Sequence, residues 1–171
     1  IVFSFFVLLG LFGCSSSHYV VDGGTSNYKI FVSNNASPAE HYAAAELQEY
    51  LFKISGCQLP IVHDAGAQEE LIYVGFQETP EWLLNGIDPQ DFDKEEYIIR
   101  SKGKQLLIAG GQPRGTLYGV VGYLSDHLGC RWYTRDVVKI PKKTTIAMEV
   151  LDDRQQPAFE YREAWYQEAY Q

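Results

Sequence analysis

The 171 residues are 46% hydrophobic and 14% aromatic, enough apolar material for one domain with a sizeable core. Lys and Arg number 14 against 22 Asp and Glu, for a formal net charge of −8. An acidic chain without a basic stripe is a poor nucleic-acid binder, so that class is set aside.

Residues 1–13, IVFSFFVLLGLFG, carry no charge. A membrane-spanning helix needs about 20 apolar residues, whereas this run matches the apolar region of a secretory signal. It ends abruptly in Cys14-Ser15-Ser16-Ser17, a polar tether. Leu11-Phe12-Gly13-Cys14 resembles the lipobox of bacterial lipoproteins, with Leu three residues before the cysteine and a small residue just before it. The resemblance implies that Cys14 is the first mature residue and carries a lipid. Several acyl chains would then hold the protein on the membrane, in the bacterial cell envelope. There is no initiator Met and no basic stretch ahead of Ile1, so the sequence reads as trimmed at its start.

Residues 14–27 read as lipid attachment and linker, containing Ser, Gly and Asn. Tyr28 to Val32 is a predicted strand. Ser37-Pro38-Ala39-Glu40 is a capping box with Pro at the first helical position. Ala43, Leu47, Tyr50, Leu51 and Ile54 continue it at helical spacing, and Gly56 stops it. Short strands are predicted at Leu59 to Val62 and Leu71 to Val74. Residues 77–95 read as a long acidic loop. Glu96 to Arg100 and Gln105 to Ala109 flank Ser101-Lys102-Gly103-Lys104, a hairpin signal. A second helix starts near Pro113, with Leu117, Val120, Val121, Leu124 and Leu128 as its apolar stripe and Gly129 at its end. Gly115, Gly119 and Gly122 each cost that helix stability, which tight packing on a sheet would offset. Arg131 to Tyr133, Val137 to Ile140 and Thr145 to Glu149 complete the strands. The fold class expected is α/β (α+β): a mixed β-sheet with both helices packed on one face.

The strand, Gly110-Gly111-Gln112-Pro113-Arg114-Gly115 and helix invite a phosphate-binding reading. Gln112 occupies the position where a dinucleotide fingerprint needs Gly, and Thr116 stands where a P-loop needs Lys. A tight strand-to-helix turn is the expectation instead, with no cofactor. His18, His41, His63 and His127 lack metal-ligand spacing, so no metal site is expected. No Gly-x-Ser-x-Gly nucleophile elbow occurs. Asp91, Asp93, Glu95, Glu96, Asp152 and Asp153 are read as a solvated acidic surface rather than a glycosidase acid pair. Cys57 and Cys130 are read as separate buried thiols, although export permits a disulfide.

The segment KQLLIAGGQPRGTLYGVVGYLSDHLGCRWY, Lys104 to Tyr133, resembles the domain before the catalytic barrel in family 67 α-glucuronidases and family 20 β-N-acetylhexosaminidases. The helix AAAELQEYL and the strand IYVG extend the match, so that it covers residues 28–150. The resemblance implies a β-N-acetylhexosaminidase second-domain-like fold that supports a barrel and carries no catalytic residue. Residues 151–171 then correspond to the link and the first strand of a truncated barrel, and Arg162 to an arginine that contacts the sugar in family 20; a surface or interdomain ion pair is the other reading of Arg162, and the favoured one. The implied whole is a lipid-anchored glycoside hydrolase whose glycan substrate meets the missing barrel. The alternatives are a surface polysaccharide-binding module, with Trp82 and Trp132 as platform, or a structural spacer.

Overall fold

The computed structural model describes residues 18–66, 70–134 and 136–157. In chain order these form β1 (Tyr19–Val21), β2 (Lys29–Phe31), α1 (Pro38–Ser55), β3 (Ile61–Val62), β4 (Leu71–Val74), α2 (Glu81–Leu84), β5 (Tyr97–Lys102), β6 (Gln105–Gly110), α3 (Gly115–Gly122), β7 (Arg131–Trp132), β8 (Val138–Lys139), β9 (Ile146–Ala147) and β10 (Asp152–Gln155). A 3₁₀ turn lies at Pro89–Asp91, and a π-helical turn, Tyr123–His127, continues α3.

The capping box forms as its sequence dictates. The Ser37 backbone N–H donates to Glu40 Oε2 at 2.8 Å, and Ser37 Oγ accepts from the Glu40 N–H at 3.3 Å. Two orphan amides of the first turn are satisfied reciprocally. Gly56, at φ 76°, ends α1 in the left-handed conformation that only glycine adopts without cost.

The main sheet runs β10-β5-β6-β4-β2-β3. β6, β4, β2 and β3 are parallel; β5 and β10 each pair antiparallel with their inner neighbour. Alternation along each strand splits the core in two. Ile30, Ile72, Ile99, Leu106 and Ile108 point to the face that carries α1 and α3. Phe31, Leu71, Tyr73, Leu107 and Ala109 point to the other, where Leu83 of α2 covers them with Phe76 and Ile87. Both long helices thus share one face of a mixed sheet. α2 breaks the segment 77–95 that reads as loop: four residues are too few to show a helical period.

The apolar stripe of the second helix is rotated from its expected position. Val120, Leu124 and Leu128 are buried, but Val121 is 39% exposed and Tyr123 is buried instead. The glycines explain the rotation. A Cβ at Gly119 would meet Ile108 Cγ2 at 3.0 Å and Tyr97 Cβ at 3.2 Å; one at Gly122 would meet the Tyr97 hydroxyl at 2.6 Å. The side-chain-free face of α3 is therefore the face pressed on β5 and β6.

Two boundaries also move. Within the expected linker 14–27, Tyr19–Val21 is a strand pairing with β9, and Val20 and Val21 are fully buried. Within the expected link 151–171, Asp152–Gln155 is the edge strand on β5. Its sequence, Asp-Asp-Arg-Gln, gives no hydrophobic alternation because an edge strand is better charged than apolar. Cys57 and Cys130 are free thiols, the second fully buried.

Candidate functional site

The conspicuous turn between β6 and α3 sits at the C-terminal edge of the parallel strands, where α/β sheets often bind ligands. Its glycines serve another purpose. A Cβ on Gly111 would overlap the Asp93 carbonyl, and one on Gly110 or Gly115 would overlap the Glu96 carbonyl. The space a phosphate would need is filled by the backbone of residues 92–96. The turn's amides are also engaged: the Gly111 N–H donates to Glu96 O at 2.9 Å, and the Gly115 N–H to Gly111 O at 2.7 Å. Thr116 Oγ1 accepts from the Gly110 N–H at 3.1 Å. Inward-facing carbonyls would repel a phosphate, so this is a tight turn, as Gln112 in place of a fingerprint glycine and Thr116 in place of a P-loop lysine imply.

The loop that fills the turn is held in place from β10. Arg154 Nε donates to Glu96 Oε1 at 2.6 Å, and Arg154 Nη2 to the Asp91 carbonyl at 3.1 Å. The guanidinium lies 4.1 Å from the Phe92 ring centroid, a cation–π contact. Phe92 meets Phe76 edge-to-face at 5.0 Å. Glu96 Oε2 accepts from the Asp93 N–H at 3.0 Å. Around this core, Arg114 pairs with Glu95 at 2.7 Å, and Gln156 Nε2 donates to Asp93 Oδ2 at 2.5 Å.

Most of the acidic residues are surface groups, as expected, but Glu96 is not: it is buried. Its hydrogen bond from Arg154 holds its carboxyl below the usual carboxylate range, helped by the Asp93 N–H and opposed by burial. Asp152 pairs with Arg100 at 2.7 Å, and Asp153 accepts from Gln155 at 2.7 Å. His63 Nδ1 lies 2.8 Å from Val32 O, and His127 Nδ1 lies 3.0 Å from Glu149 Oε2. No group of His, Cys, Asp or Glu suited to a metal occurs among the described residues.

The remaining expected site residues are scattered. Cys14 and Arg162 lie outside the described residues. Trp132 packs on Tyr50 of α1, its Nε1 donating to the Tyr50 hydroxyl at 2.8 Å. Trp82, in α2, lies on the opposite side of the sheet, with Lys102 over its ring. Glu96, Phe92 and Arg154 were not expected to act together. Glu96 and Arg154 are 58 positions apart, and nothing local in the sequence joins them.

The Glu96 pair predicts an acid dependence. A carboxyl depressed in the folded state contributes stability above its unfolded value, lost as pH falls through the folded value. Glu96→Gln is expected to cost about 1 kcal/mol at pH 7, below the usual range for a charged hydrogen bond because the Arg154 side chain is 44% exposed. The gap between variant and wild type in denaturant melts should close below about pH 4. A gap that stays constant down to about pH 3 would remove the ion pair from the account.

Comparison with known proteins follows the same outline. The Glycosyl hydrolase family 67 N-terminus family matches residues 23–123, more than half of the chain. The probable α-glucuronidase A of Neosartorya fischeri is 28% identical over 110 residues, 64% of this chain and 12% of that protein. The probable α-glucuronidase A of Aspergillus fumigatus is 32% identical over 94 residues, 54% of this chain and 11% of that protein. The chain thus spans about an eighth of the length of these relatives. Among solved structures, a family GH115 4-O-methyl-α-glucuronidase with specificity for decorated arabinogalactans superposes with a TM-score of 0.61 at 23% identity, covering 80% of this chain and 18% of that one. The GH20 β-N-acetylhexosaminidase of Streptomyces coelicolor A3(2) gives 0.52 at 15% identity, covering 85% and 24%. These two show a shared fold. Because the match runs over more than half of the chain and takes in the β6–α3 turn, the chain belongs to the glycosyl hydrolase family 67 N-terminus family, an N-terminal domain of glycoside hydrolases.

Proposed function

We propose that the chain is the non-catalytic accessory domain of a lipid-anchored glycoside hydrolase. The observation that carries this reading is the use the fold makes of its carboxylates near the β6–α3 turn. Glu96, Glu95 and Asp93 are each engaged with an arginine, a backbone amide or a glutamine side chain of the domain itself. A glycosidase needs one carboxyl to protonate the leaving oxygen and another to act as base or nucleophile. Carboxylates committed to holding a loop and an edge strand are poorly placed for either task. The chemistry then belongs to a barrel beyond this domain, where loops at strand C-termini carry catalytic groups. The resemblance to family 20 makes Arg162 the residue of this chain nearest that task, contacting the sugar. Cys14 supplies the membrane anchor. The polysaccharide-platform alternative is less well supported, because Trp82 and Trp132 stand on opposite sides of the sheet.

The test compares residues 15–171 with the parent protein on uronic-acid and N-acetylhexosamine glycosides. The parent is expected to turn over a glycoside and the fragment none; Arg162→Ala in the parent should weaken sugar binding without unfolding it. Turnover by the fragment alone would overturn the accessory reading. In the same parent, Cys14→Ser should release the protein from membranes. Retention of that variant through a high-salt wash would place the anchor elsewhere.

A further inference from the structure

We propose that Arg154 is a positioning residue: through Glu96 and Phe92 it couples the edge strand β10 to the start of α3. The contacts form one continuous path. Arg154 reaches out of β10 to three parts of the segment 91–96: the Asp91 carbonyl, the Phe92 ring and the Glu96 carboxylate. The carbonyls of that segment accept from the glycine turn: Glu96 O from the Gly111 N–H at 2.9 Å and Lys94 O from the Arg114 N–H at 3.4 Å. The Asp93 carbonyl fills the volume beside Gly111. The turn in turn sets the first residues of α3. The glycines themselves offer no side chain to buttress this region, so the loop supports it, and Arg154 holds the loop alongside Arg114 on Glu95 and Gln156 on Asp93. The ion pair between β10 and β5, Arg100 with Asp152, follows a different path: Arg100 Nη1 donates to the Leu84 and Asn85 carbonyls at the end of α2, away from the turn.

Residue-resolved amide hydrogen exchange on the full chain separates this coupling from a general loss of stability. Arg154→Met, which keeps a long stem and removes the charge, should speed exchange at the Gly111 and Arg114 amides by about tenfold or more. Glu96→Gln, nearly isosteric and therefore expected to fold, should speed the same amides. Arg100→Met serves as the control and should leave them at the wild-type rate. Wild-type exchange at Gly111 and Arg114 in both Arg154→Met and Glu96→Gln would overturn the proposal. Equal acceleration of those amides in Arg100→Met would also overturn it.

Discussion

Backbone carbonyls of residues 93 and 96 lie directly against Gly110, Gly111 and Gly115, and much of the domain depends on that close approach. It can exist only where no Cβ intervenes. It lets the segment before β5 lie across the end of β6, and it leaves α3 starting where Gly119 and Gly122 can seat on Tyr97 and Ile108. The helix is short of side chains on its contact face, so its backbone comes close to the sheet. Close packing replaces the apolar area that larger side chains would have buried. The same approach removes the turn from the class of phosphate cradles. A cradle needs free amides and empty space, and here the amides of Gly110, Gly111, Arg114 and Gly115 are engaged and the space beside them is filled.

Electrostatics finishes what the close approach begins. The loop consists of polar and acidic residues with little apolar area of its own, apart from Phe92. A buried carboxylate at Glu96 is costly unless it is paired and hydrogen-bonded, and Arg154 and the Asp93 amide provide both. An arginine on an edge strand thus helps to hold a loop, and the loop packs against a turn. The chain beyond β10 leaves from this same corner, since Gln155 stands in register with Tyr97 and Tyr97 with Gly110.

Elements with a strong local signature were legible in the sequence. The capping box at Ser37 and Glu40 and the glycine stop at Gly56 specify α1 almost residue by residue. The central strands, rich in Ile, Leu and Val, declare themselves by composition, and the need to offset three glycines pointed to tight packing of α3. What was hidden falls into two kinds. Very short elements, α2 and β1 among them, have too few residues to display a period. The edge strand β10 is polar because it must be, and so looks like a linker. The coupling of Arg154 with Glu96 was invisible for a different reason: it is a contact between distant positions, and either residue alone resembles an ordinary surface charge. The family resemblance, carried by the turn and helix, reached further than any of these local rules.

The most direct test of the central claim is the stability of Gly111→Ala beside that of Gly86→Ala. Gly86 has a positive φ of 82° but open space around it, so its variant suffers backbone strain alone. Alanine there should cost about 1 kcal/mol. At Gly111 the new methyl would have to displace the Asp93 carbonyl, and the account predicts a loss of at least about 2 kcal/mol in denaturant melts. A Gly111→Ala protein within about 0.5 kcal/mol of wild type would mean that the loop does not press on the turn, and the account of this corner would fail.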